Sequence, residues 1–417
     1  MFDLFKIAVR NLIRYKRRTF LTASLIAIGV LFVLIFISVS GSFKNLIIGQ
    51  ITDSMLGHIQ IHQKGYVASL ENLPLTMNLK PDAVERAEST LNRMPEIECY
   101  SKRIKFGGMF SNFDETTNIR LNGVMPEKEF ETVPLLQSRI IKGDKEIKKG
   151  EILIPELIEK GMKVNIGDSV VIIATNQDGS VNGKQFNVAG VLESATGPGG
   201  KDGYIHIEDA RDILRMDEME ISEIAVRLQD FGKLHQIYAA LQNSLSSKGK
   251  AKQGNSMEKS GYEVHTWETL SPFYNISRMI DIMTFFIKLM LIAIVLISIM
   301  NVMIMAVYER IREIGTIAAI GTMPEKVLFM FIIEGFFLGI FGTICGITLG
   351  TIGVYAINIM KFSFNFGRNT GLILSPVIHV RDILGIPAIV IVVSIIASFQ
   401  PAFKASRMEP IKALRHV

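Results

Sequence analysis

The run TFLTASLIAIGVLFVLIFISVSGSF, residues 19–43, holds 25 residues without a single Asp, Glu, Lys or Arg. A helix needs about 20 apolar residues to cross the hydrocarbon core, so this run predicts a membrane-spanning helix. A cleaved signal peptide is the rival reading. The run is too long for the apolar part of such a peptide, and Ser38-Val39-Ser40-Gly41 is a poor small-residue cleavage site. Working outward, Lys6, Arg10, Arg14, Lys16, Arg17 and Arg18 all precede the run, as in a cytoplasmic anchor. The 417-residue chain is 48% hydrophobic, too apolar for an ordinary soluble protein, and its formal charge of +5 gathers beside a membrane segment rather than in a basic groove. A nucleic-acid partner is not expected.

Beyond the run, residues 44–280 read as a water-soluble domain. His58-Ile59-Gln60-Ile61-His62 and Phe186-Asn187-Val188-Ala189-Gly190-Val191 alternate as half-buried strands do, whereas Pro81 to Met94 and Leu234 to Leu245 repeat apolar residues at helical spacing. The domain is therefore predicted to be α+β. Ser246 to Gly261, rich in Ser, Gly and Lys, reads as a loop. Three more spanning runs follow within 281–417: Leu289 to Val307, Val327 to Met360 broken only by Glu334, and Ile383 to Phe403. Lys288 sits at the edge of the first, where a long side chain snorkels to the headgroups. Lys and Arg number six in residues 1–18, three in 308–326 and four in 404–417, against three in 361–382. That bias predicts both termini in the cytoplasm and 44–280 outside the inner membrane. Cys99 falls in the polar domain and Cys345 in the middle of an apolar run, so this topology keeps them apart and no disulfide between them is expected.

No G-x-x-x-x-G-K-[ST] occurs, so no phosphate-cradling loop is expected and ATP hydrolysis by that route belongs to a partner. H-E-x-x-H, CxxC and G-x-S-x-G are absent as well, which points to no metal, no cofactor and no catalytic residue in this chain. His58 and His62 stand four apart on a strand, a spacing that suits a satisfied pair better than a metal site.

Residues 308–321, from Tyr308-Glu309-Arg310-Ile311-Arg312-Glu313-Ile314-Gly315 to Gly321, join the second and third spans. Ile311, Ile314 and Ala318 share one helical face while Glu309, Arg310, Arg312 and Glu313 crowd the first turn, as in a short helix lying in the membrane interface with its charges toward the cytosol. A solvated loop carrying positive-inside residues is the plainer alternative. Glu334 lies about 10 Å along its helix from the edge of its run, a costly place for an unpaired charge. Two readings stand for it: coupling through contact with Arg310 or Arg312, or a structural, partly protonated carboxyl. Gly335 and Gly339, then Gly342, Gly346 and Gly350, recur every four residues in the same span, the pattern by which helix backbones approach closely. Met300 to Met305 reads as lipid-facing or core filler, or as flexible lining for an acyl-chain cavity.

The segment ERIREIGTIAAIG, residues 309–321, resembles the coupling helix of the MacB, LolC, LolE and FtsX-like permeases of ABC transporters. Ala8-Val9-Arg10-Asn11-Leu12 with Arg17-Arg18-Thr19, and Pro401-Ala402 through Arg407 to Pro410-Ile411-Lys412-Ala413-Leu414-Arg415, resemble that family's leading and closing motifs. Gly57 to His62 opens the outer domain as in the lipoprotein-releasing branch, and Tyr262 to Trp267 resembles that branch's stalk before the second span. The resemblance implies four membrane helices and a MacB-type periplasmic core domain between the first two. It implies two cytoplasmic ATPase subunits, a second permease copy or paralogue, and lipoproteins or lipids as cargo, with a periplasmic lipoprotein carrier as a further partner. It assigns ATPase coupling to Glu309, Arg310, Arg312, Glu313 and Gly315. Two other functions come with the family: signalling that activates a periplasmic hydrolase, as in FtsX, and MacB-like efflux, which the lack of a fused ATPase disfavours.

Overall fold

The computed structural model describes residues 7, 10–194, 198–249, 261–366 and 369–409. Along the chain the helices are α1 (Lys16–Ile51), α2 (Pro81–Leu91), α3 (Pro126–Thr132), α4 (Leu135–Ser138), α5 (Glu156–Met162), α6 (Ile207–Ile213), α7 (Leu234–Gly249), α8 (Trp267–Leu270), α9 (Tyr274–Glu309), α10 (Ile311–Ala319), α11 (Pro324–Met360) and α12 (Val380–Ser406). The strands are β1 (Ile59–Gln63), β2 (Ile97–Ser111), β3 (Thr116–Val124), β4 (Ile140–Gly143), β5 (Glu151–Pro155), β6 (Ser169–Thr175), β7 (Val181–Leu192), β8 (Asp202–His206), β9 (Glu223–Leu228), β10 (Tyr262–Thr266), β11 (Ser363–Phe366) and β12 (Asn369–Ile373). Two compact units result: Met1–Asn45, Arg278–Phe364 and Ile373–Val417 form one, and Leu46–Ser277 with Asn365–Leu372 form the other.

In the outer unit the long β2 is the organiser. Its first half pairs with β9, and β1 and β10 extend the sheet beyond β9; its second half pairs with β3 on one side and β6 on the other. From there β3 pairs with β8, β8 with β5, β5 with β7 and β7 with β6, which closes a ring of strands. A ring leaves few open edges, the usual way a β-rich domain avoids pairing with strangers. Helices α2 and α7 bury Ala83, Val84, Ala87 and Leu91, and Leu234, Ile237, Leu241 and Leu245, in the core, the spacing read from the sequence. Helix α7 runs on to Gly249, past the Ser246 at which a loop was expected: once Leu241 and Leu245 are anchored, polar residues continue the helix for another turn. Residues 250–260 of that expected loop lie outside the described residues.

The interior of this unit is not purely apolar. Arg103 is buried between Glu129 at 2.7 Å and Glu223 at 2.8 Å, and Glu223 also takes Lys105 at 3.0 Å and faces His62 at 3.6 Å. Burial alone would raise the Glu223 carboxyl, yet Lys105, His62 and Arg103 hold it well below the usual carboxylate range. Burial pushes the His62 imidazole down against the pull of Glu223. Both groups protonate more easily in the unfolded chain, so their contribution is complete above the unfolded pKa values, about 6.5 and 4.3, and is lost as pH falls below each. Trp267 is the only tryptophan and is buried in this core, so its emission reports unfolding of the outer unit within the intact chain. Its melting midpoint is expected to be flat between about pH 7 and 8 and, below that, to fall by about 3–6 °C per pH unit while each proton is taken up. His62→Leu should remove the first decline and shrink the second, since His62 is one of the groups that hold Glu223 down. A midpoint unchanged down to about pH 4 would contradict the assignment.

Among the described residues four helices are long and apolar enough to cross a membrane, Lys16–Leu56, Tyr274–Glu309, Pro324–Met360 and Val380–Ser406, and the other unit holds all of them except Leu46–Leu56 and Tyr274–Ser277, which belong to the outer unit. Helix α1 continues through a π turn at Thr52–Leu56 and stops at Gly57, whose φ of 74° suits glycine. The glycines of α11 divide between two neighbours. A Cβ on Gly335 or Gly339 would overlap Ser398 or Ser394 of α12, whereas one on Gly342 or Gly346 would lie 2.7 Å from Ile26 or Val30 of α1, and one on Gly350 3.1 Å from Leu34. Small residues thus let α11 sit close against both helices. Between α11 and α12, β11 and β12 form a two-stranded sheet.

Candidate coupling site

The site is built where α9 stops. Residues 10–14 are helical, the chain turns at Tyr15, and α1 begins at Lys16; Thr19 Oγ1 donates to the Leu12 carbonyl at 2.9 Å and ties the leading turn to α1. At the far end of α9 a single residue, Arg310 (φ −115°, ψ 15°), leaves helical geometry, and its carbonyl accepts from Ile314 N at 2.9 Å to start α10. Gly321, with φ 96°, ends α10, and Pro324 at the first turn of α11 supplies a fixed φ for restarting the helix. The kink at Arg310, with Gly321 and Pro324, bounds a nine-residue helix between two membrane helices.

Glu334 is fully buried and accepts two arginines: Arg18 Nη2 at 3.0 Å on one carboxylate oxygen and Arg310 Nη1 at 3.3 Å on the other. Arg18 also donates to Glu309 at 3.2 Å, Arg310 to Glu313 at 3.1 Å, and Arg14 pairs with Glu313 at 3.5 Å. The Tyr15 ring lies 5.5–5.9 Å from the guanidinium carbons of Arg14, Arg18 and Arg310, the range of cation–π attraction. Arg310 contacts the Phe331 ring on its other side at 5.8 Å. Three arginines thus meet three glutamates, Glu309, Glu313 and Glu334, so the cluster is neutral as a whole. That neutrality is what lets Glu334 stay buried in an apolar helix.

The residues singled out in sequence fall into two groups. Arg310, grouped there with charges facing the cytosol, is instead 5% exposed, because the buried Glu334 draws it inward. Gly315 is buried too, along with Ile311 and Ile314. Glu313 is half-buried and committed to Arg310 and Arg14, and Glu309 is exposed but paired with Arg18. Arg312 is exposed. On the same outward side, Ile317 is 37% exposed and Ile320 81%, and Met323 just beyond is 63% exposed. Arg14, Tyr15 and Arg18 were not read as site residues. The only available signal was that Arg18 borders the charge-free run while Glu334 interrupts another. Ala8, Val9 and Pro410 to Arg415, which carry part of the resemblance, lie outside the described residues.

No His, Cys, Asp or Glu group among the described residues is placed to hold a metal ion. His58 and His62 serve the outer unit: His58 Nδ1 accepts from Leu228 N at 3.0 Å, and His62 faces Glu223. Cys99 and Cys345 are free thiols.

A four-helix membrane protein with a large α+β domain between its first and second helices is the class these features define. Two family descriptions match it: "MacB-like periplasmic core domain" over residues 19–244 and "FtsX-like permease C-terminal" over residues 285–410. The chain belongs to the ABC transporter permeases of this MacB, LolC and FtsX-like family, and its large domain is the extracytoplasmic one. Among relatives, the lipoprotein-releasing system transmembrane protein LolC of Neisseria meningitidis serogroup B is 23% identical, the match covering 94% of this chain and 92% of that one. The macrolide export ATP-binding/permease protein MacB of Nitrobacter winogradskyi is 27% identical over 79% of this chain and 51% of its own length. The crystal structure of the periplasmic region of MacB from Actinobacillus actinomycetemcomitans aligns at TM-score 0.37 and 15% identity, over 53% of this chain and 94% of that one, a likeness too distant to build on.

Proposed function

We propose that the chain is the permease subunit of an inner-membrane ABC transporter, with both termini in the cytoplasm, that uses ATP hydrolysis by a separate pair of P-loop ATPase subunits to release lipoproteins or lipids from the membrane. A second permease, a copy or a paralogue, completes the complex, and a periplasmic lipoprotein carrier is the natural acceptor. The chain itself carries no catalytic residue. The observation that carries the reading is the Glu334 cluster: α10 is joined covalently to α9 and α11, and ionically to α11 through Arg310 and to the leading segment of α1 through Glu313. Force applied to α10 therefore reaches α1, α9 and α11 together.

The outward face of α10, Arg312 with Ile317 and Ile320, supplies the ATPase contact: a cation beside exposed apolar anchors is a usual composition for a protein interface. The buried face holds the lever together. The LolC relative, matched along nearly its whole length, favours lipoprotein release over MacB-like efflux. The test is reconstitution with the ATPase that copurifies with the chain. A diacylated polypeptide should leave proteoliposomes only when both proteins and ATP are present. ATP hydrolysis by the rigorously purified chain alone, or activation of a cell-wall hydrolase without any release, would contradict the reading.

A further inference from the structure

The outer unit holds a cavity of about 160 Å³ whose lining includes Ile51, Met55, Leu56, Leu270, Pro272 and Phe273. These residues come from the two stretches of chain at which the outer unit meets the membrane helices in sequence. Ile51 to Leu56 end the first apolar span, and Phe273 directly precedes Tyr274, where the second begins. The cavity's charged lining residues are already matched: Lys105 pairs with the buried Glu223 at 3.0 Å and Arg120 with Asp202 at 2.8 Å. An apolar space whose ions are internally paired favours an uncharged occupant. A cavity of this size lined by aliphatic side chains takes a benzene-sized fragment, roughly six carbons.

Leu73 and Arg120 line both this cavity and a wider groove of about 610 Å³ over β2, β3, β6 and β7. The groove has Asn118 and Thr175 as hydrogen-bonding groups, and Met109 and Val181 expose 44% and 64% of their surface beside them. Gly107 keeps its floor open, for a Cβ there would meet no atom within 4 Å. An apolar end-pocket continuous with a mixed polar and apolar track matches a molecule with an alkyl end and an extended amide-bearing body. We propose that the cavity takes the end of an acyl chain of an acylated polypeptide, whose peptide portion leaves along the groove. This rests on the releasing function proposed above and assigns part of cargo binding to the outer unit itself.

The experiment uses the full chain with its ATPase in nanodiscs and three probes: a synthetic lipopeptide whose palmitoyl chain ends in a diazirine, phosphatidylcholine bearing the same chain, and the lipopeptide in competition with its non-acylated form. Photolysis and peptide mapping should place lipopeptide adducts on Met55, Leu73, Leu270 or Phe273, with no competition from the non-acylated peptide. Leu70 and Leu270 both line the cavity, and the filling variants Leu270→Trp and Leu70→Trp, checked for unchanged gel-filtration behaviour, should each cut those adducts about tenfold. Adducts confined to the membrane helices would overturn the cavity assignment while leaving the releasing function intact. Equal labelling by phosphatidylcholine would overturn the choice of an acylated polypeptide. No lipopeptide adduct anywhere, together with no ATP-driven release, would remove both proposals.

Discussion

Glu334→Ala is expected to lower the stability of the membrane unit by about 3–5 kcal/mol, because it leaves the buried Arg310 and the half-buried Arg18 without their shared carboxylate. The loss should appear as a lower melting temperature in nanodiscs and as faster proteolysis at the α9–α10 break. Glu334→Gln keeps the shape and an acceptor oxygen but not the charge, so it should fold and show a smaller loss. Its defect should lie in transmission. With the ionic link to α11 weakened, α10 is held by its covalent ends, by packing of Ile311 and Ile314 and by the Glu313–Arg14 pair. A purely structural carboxyl would give the opposite pattern: a variant that, once folded, works normally.

Arg312→Glu combined with Ile320→Glu should abolish stable association with the ATPase, by about 2–4 kcal/mol or roughly 30- to 1000-fold in affinity, since both side chains lie on the exposed face of the segment. Membrane insertion and melting should be nearly unchanged, because surface substitutions away from buried networks usually stay within about 0.5 kcal/mol. Reversing Arg312 and Glu313 together would be a less clean test. Glu313 pairs with Arg310 and Arg14, so its reversal also disturbs the internal cluster. Copurification of the ATPase at wild-type yield with the Arg312→Glu, Ile320→Glu variant would place the contact elsewhere.

The membrane helices were legible because an apolar run of this length has few other uses, and α10 because its apolar period is a local signal. The partners of Glu334 were only half legible. Arg310 is 24 positions away and was named as one option, whereas Arg18 is 316 positions away and joins only through the packing of α1 on α11. The direction of Arg310 was misread for the same reason. A helical wheel places it with the other charges, but it precedes the helix, in the kink, and follows its buried partner. The four-residue glycine spacing announced close packing. That it serves two helices, with Ser394 and Ser398 filling the space beside Gly339 and Gly335, required the fold. In the outer unit the Arg103, Glu129 and Glu223 network was invisible, since its members sit in segments that otherwise read as ordinary strands and a short helix.

The most direct measurement is the number of acylated polypeptides released per ATP hydrolysed, in proteoliposomes containing the copurified ATPase, for wild type and for Glu334→Gln at equal amounts of assembled complex. A lever that runs through the Glu334 cluster predicts continued hydrolysis with release per ATP reduced by about tenfold or more. Release per ATP equal to the wild type, with the variant fully assembled, would show that motion of α10 reaches the membrane helices by another route.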